Sequence, residues 1–195
     1  CHPVSKPVLH SMICPSEEII FQDVYGTSGE KMQGTWLAIL FYSRDNRYTM
    51  APTRGDDAAE LFRGGWSCSQ AVCCAFAKDF DMEEKTALRL SCALGGGMSH
   101  MGNTCGAVSG ALMVIGMKYG RTELDDLAAK EKTYELGQQF IHEFRRRNHS
   151  LNCTELIGYD LSNPDALADA REKKVFHTRC TEFVRDAGDI LEEIL

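Results

Sequence analysis

The sequence has no apolar run long enough to cross a membrane. A helical span needs about 20 apolar residues, and the nearest candidate, Ala107 to Met117, is too short. An excess of positive charge is also missing. The 21 Lys and Arg stand against 28 Asp and Glu, for a net charge of -7. Nucleic acid is therefore not an expected partner, since its sites need basic side chains interleaved with aromatics. The only basic run, Arg145-Arg146-Arg147, reads as a helix C-terminal turn complementing the dipole. Sustained polar–apolar alternation is absent, which argues against a sheet. Gly95-Gly96-Gly97 has neither the strand before it nor the lysine after it that a phosphate-binding glycine motif requires. No Ser-His-Asp arrangement is suggested by spacing. No CxxC occurs, which disfavours a thioredoxin-like dithiol.

What the sequence does hold is cysteine. There are nine, at positions 1, 14, 68, 73, 74, 92, 105, 153 and 180. An odd count argues against a secreted disulfide scaffold. A reducing cytoplasm is the expected compartment, where cysteines are free, metal-bound or catalytic. Hydrophobic content of 44% and charged content of 25% are ordinary for a soluble globular chain.

Residues 1–49 differ in character from the rest of the chain. They mix Pro3, Pro7 and Pro15 with Gly26, Gly29 and Gly34, and no amphipathic period lasts. Only Thr35 to Tyr42 suggests a short strand. Met50 then precedes a fresh helical segment. The expected division is an irregular N-terminal extension over 1–49, not native to the domain, and a helical four-cysteine domain over 50–195 that starts at Met50.

The domain is organised around Gly95 to Gly110. Its glycine-rich first half is expected to hold neither helix nor strand, because glycine loses the most backbone freedom on ordering. Its second half reads as a buried helix from Cys105 to about Tyr119, closed by Gly120, a residue able to take positive φ. Gly106 and Gly110 lie four apart, so another backbone can approach their helix closely.

Other helices are expected from caps and periodicity. Asp56 to Phe62 suits a short helix ended by Gly64-Gly65. Ser67 with Gln70 is a capping box that puts Cys68 in a first helical turn. A helix over about Met82 to Cys92 presents Leu88, Leu90 and Ala93 as apolar positions. Thr122 opens a long helix to Arg147 with an apolar stripe through Leu136, Phe140 and Phe144. Asn152 caps a short helix that begins with Cys153 and ends at Gly158. Asn163-Pro164 starts a helical tail running to Leu195. The expected fold is all-α, a single helical bundle of about six to seven helices.

Cys68, Cys105 and Cys153 each directly follow a plausible cap: Ser67, Thr104 and Asn152. A helix N-terminus carries free N–H groups and partial positive charge, so it shifts a thiol toward thiolate. Three such placements suggest helix starts aimed at one place, with Cys180 as the natural fourth. Cys73 and Cys74 read as core filler. His100, near Cys105 in sequence, is a candidate base or ligand, since neutral imidazole does both.

Cys105-Gly106-Ala107-Val108-Ser109-Gly110 resembles the CGAxxG motif of the C_GCAxxG_C_C family, small bacterial and archaeal proteins named for redox activity. The resemblance covers about Asp56 to Leu195. It includes the Trp66-Ser67-Cys68-Ser69-Gln70 entry, Met101-Gly102 in the glycine loop, Asn152-Cys153, and Cys180 before Phe183-Val184. Ser99-His100 departs from the glycine and basic residue that relatives tend to carry. The family's four marker cysteines map onto Cys68, Cys105, Cys153 and Cys180.

Together these observations point to a redox-active or electron-transfer protein whose catalytic or metal-ligating residues are Cys68, Cys105, Cys153 and Cys180. His100 and Gly106 are candidate cofactor contacts. Two versions stay open: an iron–sulfur cluster on four thiolates, or reversible disulfides. The alternatives are a non-catalytic zinc module, and a helical bundle whose thiols are simply buried. The expected partner is a redox partner protein, and a homodimer is a candidate assembly.

Overall fold

A computed structural model describes residues 51–195. The extension over 1–49, its Thr35–Tyr42 strand and the Met50 start lie outside the described residues. The described residues are all-α. Eight right-handed α-helices succeed one another: α1 (Arg54–Arg63), α2 (Cys68–Ala77), α3 (Glu84–Ser91), α4 (Gly106–Tyr119), α5 (Leu127–Asn148), α6 (Cys153–Ile157), α7 (Pro164–Glu172) and α8 (Thr181–Ile194). The only β feature among them is one isolated bridge, Thr104 with Asn152.

Caps set most helix starts. Thr53 and Asp56 form a capping box at α1, and Ser67 and Gln70 form the expected one at α2. Asn152 accepts from the Glu155 amide at α6, and Asn163 caps α7 with Pro164 in its first turn. Gly158 takes a left-handed conformation to close α6, as expected.

The core is built on α4, whose Ala107, Val108, Ala111, Val114 and Ile115 are buried. It packs against α2, α5 and α8. Phe140 and Phe144 of α5 are fully buried and stack with ring centroids 5.9 Å apart. Burying each such ring contributes about 1.5–3 kcal/mol. Two crossings depend on missing side chains. A Cβ on Gly110 would lie 2.7 Å from the Ser69 carbonyl oxygen of α2, and one on Gly106 would lie 3.1 Å from Cys68 Cβ. A Cβ on Gly188 of α8 would lie 2.6 Å from Gly55 Cα of α1. The second crossing is reinforced by Thr53 Oγ1 donating to Asp189 at 2.7 Å and by the Arg185–Asp56 ion pair at 3.2 Å.

Several expectations need correction. The all-α bundle holds, with one helix beyond about six to seven because the tail is broken: α7 ends at Glu172, Lys174 takes φ 54°, and a π turn (Phe176–Cys180) precedes α8. The long helix begins at Leu127, not after Thr122, because Asp126 caps the Ala129 amide at 2.9 Å. Leu124, Leu127 and Tyr134 consequently stay exposed. On α3 the buried positions are Ala87 and Ser91, while Leu90 and Ala93 face solvent. Gly120 closes α4 at φ -60°, without positive φ. The cap of α4 is Cys105 itself, because the preceding Thr104 is engaged in the bridge to Asn152.

The glycine loop is more ordered than its composition implies. Five successive residues, Gly96, Gly97, Met98, Ser99 and His100, have φ between 55° and 68°. This is a left-handed helical turn. Three of its residues carry side chains, and left-handed helix costs about 1–2 kcal/mol per such residue.

Replacing Gly110 by Ala is expected to lower stability by about 1–3 kcal/mol, because the new methyl meets fixed backbone. Gly116→Ala, where nothing lies within 4 Å, is expected to gain up to about 1 kcal/mol from helix propensity. Urea unfolding of the two variants measures both.

Candidate functional site

Three connected segments deliver the cysteines. Cys68 is the first residue of α2, held there by the Ser67–Gln70 box. The Gln70 amide nitrogen Nε2 donates to the Leu88 carbonyl at 3.0 Å, and Ser69 Oγ donates to the Ser91 carbonyl at 2.8 Å. These bonds tie the start of α2 to α3, so the Cys68 position is fixed from two sides.

Cys105 and Cys153 are joined through backbone. The left-handed turn is closed by the Gly102 amide to Gly96 and the Asn103 amide to Gly97, at 3.3 and 3.0 Å. The chain then runs antiparallel to the start of α6. The Cys153 amide donates to Asn103 at 2.6 Å, Thr154 to Gly102 at 3.0 Å, and Cys105 to Leu151 at 2.8 Å. Gly97 sits against Cys153, where a Cβ would lie 2.6 Å from Cys153 Cβ. The turn therefore wraps one marker cysteine and orients another.

Cys180 ends the π turn and leads into α8. A π turn inserts one extra residue and occurs often at functional sites. Here Cys180 is buried and faces the Cys68 thiol.

Three of the four marker cysteines share one cavity. Cys68, Cys153 and Cys180 line a cavity of about 200 Å³ together with His100 and Gly96. Phe62 of α1 and Phe176 of the π turn supply apolar walls, and Arg171 of α7 reaches the rim. Cys105 lies behind this lining, close enough that its charge is felt by Cys153. Cys68 is partly exposed and the other three are buried. All four are free thiols. Cys73 is core filler as expected, fully buried with Ala77 and Ala87. Cys92 is exposed and takes no part in the cavity. Gly106 does not line the cavity. It is the close-approach residue that lets α4 reach Cys68.

The expected shift toward thiolate is reversed. The contact with Cys180, then burial, then the charge of Cys180 push the Cys68 thiol well above its ordinary range. Burial, then the charge of Cys68, push Cys105 up to about 12, against the opposing pull of the Ala107 and Val108 amides at the start of α4. Burial, then Cys105 and Cys68, push Cys153 up to about 12. Desolvation thus outweighs the helix dipole, which is worth only about 0.3–1 kcal/mol at a surface and at most about 2 when partly buried.

Phe62, Phe176 and Arg171 carry no sequence signal for this role. The two rings read as ordinary core positions, and Arg171 as one charge on a polar helix face.

Alkylation of Cys105 and Cys153 in the folded protein near pH 7 is expected to run on the order of a thousandfold slower than that of a free cysteine, from their small thiolate fraction. Timed iodoacetamide labelling with and without urea reads this. The same shifts link to stability. A thiol whose pKa is raised on folding stabilises fully below its unfolded pKa and loses that contribution as pH climbs through the folded value. Thermal denaturation is therefore expected to move to lower temperature as pH rises from about 9 toward 12.

The sequence model of one family, described as Putative redox-active protein (C_GCAxxG_C_C), matches residues 66–194. Neither curated proteins nor solved structures give a match to the chain. The matched stretch begins beside the capping box of α2 and ends within α8, so it contains all four converging cysteines. On that match, with three of the marker cysteines lining one cavity and the fourth behind it, the chain belongs to the C_GCAxxG_C_C family.

Proposed function

We propose that the protein performs thiol–disulfide exchange, with Cys68 and Cys180 cycling between two thiols and one disulfide. The observation that carries this reading is the Cys68 thiol set directly against the Cys180 thiol at a cavity wall. Cys68 is the more accessible member and attacks. Its sulfur, on losing its proton, displaces one thiolate from a partner's disulfide and leaves a mixed disulfide on Cys68. That leaving thiolate takes up a proton. Cys180 then gives up its own proton and attacks the Cys68 sulfur, so the mixed disulfide breaks and Cys68–Cys180 forms. The partner's disulfide gains two electrons and becomes two thiols, and the cysteine pair loses them. A redox partner protein supplies or removes these electrons. Cys153 lines the cavity beside the pair, and Cys105 lies behind the lining.

A cluster or a zinc ion is the second reading. Four thiols are the right donors for a Cys₄ iron–sulfur centre or tetrahedral zinc. What favours it is the mutual charge cost among Cys68, Cys105 and Cys153, which a bound cation relieves. Against it, among the described residues no group of three or more His, Cys, Asp or Glu is spaced to hold a metal ion. The exchange reading therefore leads.

Anaerobic purification followed by equilibration in glutathione redox buffers separates the two. Exchange predicts metal-free protein that loses two titratable thiols on oxidation, with a Cys68–Cys180 disulfide in the peptide map. Cys68→Ser and Cys180→Ser each abolish that loss, while Cys73→Ser leaves it intact. Iron with acid-labile sulfide, or stoichiometric zinc, together with no such disulfide overturns it.

A further inference from the structure

We infer that the cavity beside Cys68 receives one arm of a small disulfide whose arms end in carboxylates, and that Arg171 recognises the negative charge. This rests on the exchange reading above and adds the class of substrate.

Size comes first. The cavity holds about 200 Å³. A water molecule occupies about 30 Å³ of liquid, so the space suits a fragment of roughly six to ten heavy atoms. Nucleotide-sized and drug-sized ligands fill about 300–1,000 Å³, which puts a dinucleotide out of scale. Half of a short-chain disulfide fits.

Charge comes second. The chain as a whole carries -7, yet no Asp or Glu lines this cavity. The charged side chain lining it is Arg171, and His100 lines it too. Among the described residues the Arg171 guanidinium is not engaged by a carboxylate, unlike those of Arg54, Arg146, Arg147 and Arg185, and unlike the similarly unpaired Arg63, Arg89 and Arg145 it lines this cavity. A guanidinium matches a carboxylate with two parallel N–H donors. The Phe62 and Phe176 rings, which line the same cavity, offer the methylene arm apolar surface.

Chemistry comes third. The arm's sulfur reaches Cys68, which displaces the outer half as a thiolate. That thiolate takes up the proton Cys68 gave away. Cys180 then loses its proton and attacks the Cys68 sulfur, and the arm leaves as a second thiolate that is protonated in turn. One small disulfide becomes two carboxylate thiols, and two protein thiols become one disulfide.

The test compares 3,3′-dithiodipropionate with cystamine, two short disulfides of opposite charge. Rates of thiol release on the full chain at low ionic strength are divided by those of N-acetylcysteine, and the adduct is located by peptide mass mapping. The anionic reagent is expected to be favoured about tenfold or more after that correction, with a Cys68–Cys180 disulfide as the product and the adduct trapped on Cys68 in Cys180→Ser. Arg171→Gln is expected to remove the preference, and Arg171→Lys to keep part of it. Arg171 is exposed, so neither change threatens folding. Equal rates with both reagents, or a preference that survives Arg171→Gln, overturn the role of Arg171 and leave exchange standing. No Cys68–Cys180 disulfide with either reagent, and no adduct on Cys68 in Cys180→Ser, overturns exchange itself, and this inference with it.

Discussion

The close approach of α4 to the start of α2 is the constraint on which the site depends. It exists because Gly106 and Gly110 carry no side chain where Cys68 and Ser69 pass. Were the two helices separated by a methyl layer, Cys68 would withdraw from Cys105 and the cavity would open. The same contact fixes the seating of α2 on α3, since the Ser69 hydroxyl reaches across to the Ser91 carbonyl only with the helix this low. No buried side-chain polar atom among the described residues lacks a partner, so the seating leaves no orphaned group that would loosen it.

The left-handed turn is the second device, and it works differently. It stores strain at Met98, Ser99 and His100 and is held by bonds at both ends. The Ser99 amide and hydroxyl both donate to the Ala93 carbonyl, at 2.9 and 3.0 Å. Beyond the turn, three amide bonds clamp residues 102–105 to the entry of α6. Strained backbone persists where its surroundings over-determine it, and such places cluster at functional sites. Here the strain has a visible product: it turns the chain so that Cys105 and Cys153 meet, with Gly97 making room for the second.

Much of this was legible in residue order. Caps at Ser67, Asn152 and Asn163 are local chemistry, and each stands where its side chain implies. The helical class is read from apolar spacing, and the Gly106–Gly110 pair announces close packing. What residue order hid was of two kinds. Some of it depends on partners far along the chain, such as the Thr104–Asn152 bridge, which takes Thr104 away from capping and leaves Cys105 in that position. The rest depends on depth. A cysteine after a cap looks activated because the dipole is visible in sequence and burial is not. Arg171 is the same problem reversed: it follows the buried Ala170 on α7 as one charge on a polar face, and only the tertiary fold carries it to the cavity.

Depth also decides what kind of electron chemistry the site favours. With Cys105 and Cys153 raised to about 12 by burial and by neighbouring thiols, separating protons from these sulfurs is costly. A process that leaves uncompensated charge on two or three of them at once opposes burial, unless a bound cation offsets it. Disulfide formation does not leave such charge. Each sulfur releases its proton as it enters a neutral bond, so the pair moves from two neutral thiols to one neutral disulfide, and the low-polarity walls of Phe62 and Phe176 favour neither end. In the proposed exchange the transient charge falls on one sulfur, that of Cys68, the one residue of the four that is partly exposed. A buried, uncharged resting state suits that proposal, in which electrons move in pairs with protons and reactivity is confined to whatever reaches Cys68.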